Sequence, residues 1–207
     1  MIKKKGLLLV ISGPSGAGKG TVCKELLERN PEFKLSVSAT TRAPREGEVD
    51  GESYFFLTKE KFSEMIGQGG FLEYAQIYSN FYGTPKGPVM KYLEEGSDVI
   101  LEIEMQGARQ VKEMYPEAVL IFVLPPSLEE LRNRLTTRGT ETQEQVDERL
   151  STSFEEIKQV KDYNYFIFNE NNKTTESAMI IENLIVAEKN KASRYEKAII
   201  KKFEEEL

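Results

Sequence analysis

Short apolar runs at residues 7–11, 35–37, 99–103, 119–124 and 165–168 punctuate the chain. Most are continuous rather than alternating, which suits strands covered on both faces by helices, as in a parallel sheet. Segments with the helical period separate several of them. Val22, Leu26 and Leu27 form one apolar stripe, and Asn30-Pro31 ends it because a residue before proline is pushed out of the helical region. Ser127 and Glu130 have the spacing of a capping box, opening a helix whose Leu128, Leu131 and Leu135 share a face. Thr140 with Gln143 offers a second box ahead of Val146, Leu150, Phe154 and Ile157 at helical spacing. From Thr175 the pattern predicts a long charged helix, with the glutamate-lysine tail from Glu188 as its solvated end.

Residues 36–88 break this rhythm. The stretch is rich in Gly, Tyr and polar residues and predicts a strand over 54–57, a short helix around 62–66 and another strand around 71–77. It reads as an insertion. A chain of 207 residues accommodates one core with at most a small inserted lobe.

Charge and composition narrow the chemistry. A net charge of −6 argues against binding a nucleic-acid polymer, so any phosphate site must be local. Cys23 is the only cysteine, which excludes an intrachain disulfide and fits a reducing, cytoplasmic setting. With no histidine in the chain, acid-base work would fall to carboxylates or lysine. Lys3, Lys4 and Lys5 precede the first apolar run, but it is too short and lacks a cleavage site for a signal peptide. No apolar run approaches the roughly 20 residues of a membrane helix, so no membrane partner is expected.

Directly after the first predicted strand comes Gly13-Pro14-Ser15-Gly16-Ala17-Gly18-Lys19, then Gly20-Thr21 and a helical pattern. That is the context of a phosphate-binding P-loop. Glycines let backbone N–H groups turn inward around the phosphates of ATP, the helix N-terminus adds partial positive charge, and Lys19 supplies a full one. Gly20 stands where the strict pattern has Ser or Thr. Ligation of Mg²⁺ therefore passes to Thr21, directly or through water, with ATP as co-substrate. The plainer reading is a glycine turn without a ligand.

For an acceptor, Arg42 and Arg45 lie three apart on an extended segment fixed by Pro44, and paired guanidinium forks suit a phosphomonoester. Tyr54 and Tyr82 could add hydroxyl donors. Read plainly, the arginines make surface ion pairs and the tyrosines pack.

Several motifs together resemble the guanylate kinase family: the loop 13–21, Ser38-Ala39-Thr40-Thr41-Arg42-Ala43-Pro44-Arg45, Gly47-Glu48 with Asp50-Gly51, Phe71-Leu72-Glu73-Tyr74, Tyr82-Gly83-Thr84, and Arg138-Gly139-Thr140. The resemblance covers residues 6–187. It implies an α/β P-loop nucleoside monophosphate kinase fold: a five-stranded parallel sheet flanked by helices, an inserted mixed α+β GMP-binding lobe and a helical lid. As one domain over 1–207, the core would be 1–35, 96–125 and 151–207, the insertion 36–95 and the lid 126–150.

By the same resemblance, Arg42, Arg45, Tyr54 and Tyr82 would hold the GMP phosphate, and Ser38, Glu73, Thr84 and Glu104 would read guanine. Guanine presents N1–H and an exocyclic amine as adjacent donors that one carboxylate can accept together. Glu104 departs from the aspartate of many relatives, and its alternative is a plain strand-end carboxylate.

Arg134 and Arg138 lie four apart and are expected on a face opposite the leucines, with Arg149 on the next helix. The resemblance makes them lid groups that close over the transferring phosphoryl; the alternative is a solvated face. Asn169 matches a position near adenine, or is a turn residue. The implied reaction is in-line transfer from Mg·ATP to GMP, with Lys19 and the arginines neutralising charge and no general base. A noncatalytic phosphopeptide scaffold and a kinase for another phosphomonoester remain as alternatives, and a homo-oligomer is left open.

Overall fold

The first strand, β1 (Leu8–Ser12), is buried along its whole length, and the two-residue alternation of a strand explains its lack of a polar face. Leu9 and Ile11 enter one apolar cluster, while Leu8 and Val10 enter another on the opposite side of the sheet. The computed structural model describes residues 5–137 and 142–207. After β1 come α1 (Lys19–Arg29), β2 (Lys34–Leu35), β3 (Ala39–Thr40), β4 (Phe55–Phe56), α2 (Lys59–Gly67), β5 (Phe71–Ile77) and β6 (Asn80–Pro85). Then follow α3 (Lys86–Glu95), β7 (Val99–Glu102), α4 (Met105–Met114), β8 (Val119–Leu124), α5 (Leu128–Thr137) and α6 (Gln143–Ile157). A 3-10 turn over Lys158–Asp162, β9 (Tyr165–Phe168), α7 (Thr174–Glu188) and α8 (Ala192–Glu204) complete the order.

Five strands form a parallel sheet in the order β2-β7-β1-β8-β9. Val22 and Leu26 of α1, with Ala178, Ile181 and Ile185 of α7, cover one face. Val89 and Leu93 of α3, with Ala108 and Val111 of α4, cover the other. This is the flanked parallel sheet that the apolar runs predict. The chain leaves β1 for β2 and β7 on one side and reaches β8 and β9 on the other, so a crevice opens beyond the carboxyl end of β1. Cys23 of α1 is buried in the same cluster as Val22 and Leu26, and burial, with Glu102 adding, pushes its thiol well above the ordinary range.

The remaining strands form a second sheet, β4-β3-β6-β5. Its small core is aromatic: Phe62 stacks on Phe71 at 4.3 Å and on Phe81 at 5.5 Å. Because α3 packs back onto the main sheet, β3 through β6 carry the lobe.

Several expected details change. Residues 146, 150, 153 and 157 fall on one stripe at 100° per residue, so Ser153 is buried and Phe154 turns out to solvent, 49% exposed. Leu131 and Leu135 are buried with Val146, while Leu128 lies outside that cluster. Ser127 Oγ accepts from the Glu130 N–H at 3.0 Å, but the Glu130 carboxylate accepts from Arg134 Nε instead of closing a capping box. The box on α6 is formed by Thr142 and Gln145; Thr140 lies outside the described residues. β9 is an edge strand with Phe166 and Phe168 exposed, so its apolar run is covered on one face only. The C-terminal segment is two helices, an apolar α7 and a charged α8. Glu188, at their junction, is 4% exposed rather than solvated. Burial pushes its carboxyl up, but donors from Tyr165, Arg194 and Lys191 outweigh that and hold it below the ordinary range.

Candidate functional site

The loop joining β1 to α1 turns sharply at Gly18, whose φ of +89° is in the left-handed region that favours glycine. A β-carbon there would also collide with the Asn169 amide nitrogen. The Lys19 ammonium folds over the loop, donating to the carbonyl oxygens of Gly13 at 2.7 Å and Pro14 at 3.3 Å. Glu104, immediately before α4, approaches it at 3.8 Å with its own side chain 66% exposed. Gly20 and Thr21 open the exposed first turn of α1.

Side chains from distant elements brace this loop. Asn169, just past β9, is buried and donates from Nδ2 to the Ala17 carbonyl at 3.0 Å. Arg134 donates to the Ala17 carbonyl at 3.2 Å, the Asn169 carbonyl at 2.7 Å and Asn171 Oδ1 at 2.9 Å. It is anchored by Glu130 at 2.9 Å. Position 134 lies 60° from Leu131 and 100° from Leu135 on the helical wheel, so it stands beside the leucines and not opposite them. That face of α5 rests on the loop, with Leu131 Cδ1 2.8 Å from where a β-carbon on Gly16 would be. Arg149 donates to Ser15 Oγ at 2.6 Å. Arg138 lies outside the described residues.

Across the crevice, a cleft of about 730 Å³ is lined by Ser38, Tyr54, Tyr82, Glu73, Glu104 and Glu156, among others. Glu73 on β5 is 8% exposed and accepts from Thr84 Oγ1 at 2.6 Å. Burial pushes its carboxyl above the ordinary range, and the Thr84 hydroxyl partly offsets the rise. Thr84 is itself buried on β6. Tyr54 and Tyr82 meet edge to face at 6.2 Å. Arg42 lies 5.4 Å from the Tyr54 ring centre, but its terminal nitrogens donate to both Glu48 oxygens at 2.9 and 2.8 Å. These bonds and the Arg45 N–H hold Glu48 down to about 2. The Arg45 side chain is exposed.

The fold therefore brings Lys19, Glu104, Arg134, Arg149 and Asn169 to the loop, and Ser38, Glu73, Tyr54 and Tyr82 to the cleft, with Thr84 behind Glu73. Two carboxylates escaped the sequence reading. Glu102 ends β7, and its Oε1 lies 3.3 Å from where a β-carbon on Gly20 would be, against the first turn of α1. Burial pushes it up, Lys19 pulls it back, and Glu104 adds to the rise. The signal was present as an apolar strand ending in an acid, Val-Ile-Leu-Glu at 99–102. Glu156 lines the cleft from α6 and is likewise pushed up by burial; its helical spacing gave no such signal. Among the described residues, no group of three or more acids, histidines or cysteines could hold a metal, and no helix is long and apolar enough to cross a membrane.

A family profile described as guanylate kinase matches residues 5–188. The chain is 68% identical over 207 residues to a guanylate kinase of Clostridioides difficile strain 630, covering 100% of each. It is 53% identical to one from Caldanaerobacter subterraneus subsp. tengcongensis, covering 100% of this chain and 99% of the relative. A crystal structure of guanylate kinase from Anaplasma phagocytophilum superposes with a TM-score of 0.70 at 37% identity, covering 92% of this chain and 90% of that one.

Proposed function

The chain belongs to the guanylate kinase family, and we infer from that membership together with the cleft that it transfers the γ-phosphoryl group of ATP to GMP. The products are ADP and GDP, and dGMP is a further acceptor. The observation that carries the acceptor assignment is Glu73, buried in the cleft wall with Thr84 donating to one oxygen. Guanine N1–H and its exocyclic amine would donate to this carboxylate, whereas adenine has no such pair and would leave it unpaired. Ser38 and Glu104 complete the base pocket.

The GMP phosphate is read by Arg45, Tyr54, Tyr82 and Arg42. For Arg42 the phosphate competes with Glu48, which keeps the guanidinium aimed and charged in the meantime. On the donor side, the N–H groups of the loop 13–19 and the α1 N-terminus hold the ATP phosphates, with Thr21 at the same end of the helix. Lys19 exchanges its carbonyl partners for phosphate oxygens as charge moves. Arg134 keeps the loop in shape through Ala17, and Arg149 stands over Ser15, where it meets the transferring group with Arg138. No general base is required, because the acceptor phosphate is already ionised near pH 7. Asn169 braces the ATP-binding loop through the Ala17 carbonyl.

Mg²⁺ fits this oxygen-rich, histidine-free setting, since it is usually held by one or two carboxylates, water and substrate phosphates instead of an all-protein cage. Glu102 and Thr21 would hold its water shell. When bound, the ion neutralises charge on the phosphates. The enzyme works in the cytoplasm on small nucleotides, without a membrane or nucleic-acid partner.

The test is ADP formation from Mg·ATP with GMP, dGMP, AMP, CMP and UMP offered separately. Turnover confined to GMP and dGMP is expected, and Lys19→Ala should abolish most of it while GMP still binds. Turnover with AMP equal to that with GMP would overturn the assignment of Glu73.

A further inference from the structure

β5 is the edge strand of the second sheet, so the N–H and C=O of Tyr74 that point away from β6 have no strand to receive them. Gln110 of α4 takes that role. Its Oε1 accepts from the Tyr74 N–H at 3.1 Å and its Nε2 donates to the Tyr74 carbonyl at 3.0 Å. A carboxamide carries the same donor and acceptor as a peptide group, so this contact reproduces one rung of strand pairing. The N–H it holds belongs to the peptide joining Glu73 to Tyr74.

That restraint falls just past an irregularity in the ladder. The β5–β6 register shifts between Phe71 and Glu73, immediately before the peptide that Gln110 holds. A second contact on α4 limits how far Glu73 can advance. Gly107 lies three residues before Gln110 and hence on the same face of the helix, and a β-carbon there would lie 2.8 Å from Glu73 Oε2. Any larger side chain would occupy the space of the carboxylate.

We propose that Gly107 and Gln110 of α4 are positioning residues for base specificity: Gln110 fixes the angle of the Glu73 backbone, and Gly107 sets the depth of its carboxylate. α4 begins beside Glu104 and Lys19, so one helix ties the base-reading carboxylate to the phosphate loop. The proposal rests on the reading of Glu73 as acceptor of the two guanine donors, and the experiment separates the two.

Steady-state rates at saturating ATP are compared for GMP and for inosine 5′-monophosphate, which keeps N1–H but lacks the exocyclic amine, in wild type, Gln110→Ala, Gln110→Glu, Gly107→Ala and Glu73→Gln, with melting temperatures alongside. Gln110→Ala should raise the KM for GMP and lower the GMP-over-inosine preference by about five- to tenfold, the scale of a lost hydrogen bond, with the KM for ATP unchanged. Gln110→Glu can accept from the Tyr74 N–H but cannot donate to its carbonyl, so it should fall between. Gly107→Ala should lower the preference further. The proposal is overturned if Gln110→Ala keeps the preference within twofold of wild type while Glu73→Gln abolishes it. Equal losses on both acceptors that track a fall in melting temperature also overturn it. If Glu73→Gln itself keeps the preference, the reading of Glu73 fails first and takes the proposal with it.

Discussion

Replacing Glu73 with glutamine alters the chemistry of one atom and almost no volume, which makes it the sharpest test of the acceptor pocket. Thr84 donates to Oε1 at 2.6 Å, so the glutamine oxygen should keep that partner and turn its NH₂ toward the cleft. Guanine would then face a donor where it needs an acceptor. Each hydrogen bond to a charged group contributes about 1.5–3 kcal/mol, so losing two removes roughly 3–6 kcal/mol of binding. At 1.36 kcal/mol per factor of ten, kcat/KM for GMP should fall about 10²- to 10⁴-fold.

The stability effect runs the other way. Burial raises the Glu73 pKa in the folded state, so its favourable contribution is fullest below the unfolded value and declines as pH rises through the folded one. Glutamine removes that decline, and the variant should melt no lower than wild type at pH 8. By the same shift, KM for GMP in the wild type should rise on acidification at a higher pH than an exposed glutamate would cause. The measurements are coupled ADP formation across GMP concentration and thermal melts at pH 6 and pH 8. A kcat/KM within threefold of wild type, or a loss matched by a large drop in melting temperature, would refute the reasoning.

Two predictions concern the supports. Leu131 is fully buried where α5 rests on the phosphate loop, so Leu131→Ala should cost about 3 kcal/mol in urea unfolding, and a cost below about 1 would show that the α5 contact collapses freely. Glu48, held down to about 2 by Arg42 and the Arg45 N–H, contributes stability that is present above about pH 4.3 and lost as pH falls toward 2; a carboxyl NMR titration midpoint near 4 would contradict the pairing.

Much of this molecule is legible in local patterns. The run at 119–124 is a strand with those bounds because every residue is apolar and both faces are covered, and the run at 71–77 is a strand although its second half is largely exposed. The loop 13–19 was readable because glycine spacing, lysine and flanking elements all sit within one short stretch. Phe154 was misplaced because a helical period gives angles within a helix but not which angle faces the core, whereas Arg134 stands only 60° from Leu131, an angle the spacing itself contains. Glu188 looked like the start of a solvated tail because its partners come from other elements: Tyr165 from β9, and Arg194 by the turn between α7 and α8.

The chain's own order thus determined the phosphate loop, the parallel-sheet class and the residues that carry the family resemblance, since each depends on neighbours within a few positions. Only the tertiary structure decided that Arg134 and Asn169 converge on one carbonyl, that Glu102 stands against Gly20, and that Gln110 completes the edge of β5. Those contacts join residues separated by tens of positions. Their energy comes from burying and pairing polar groups across elements, and no local periodicity records it.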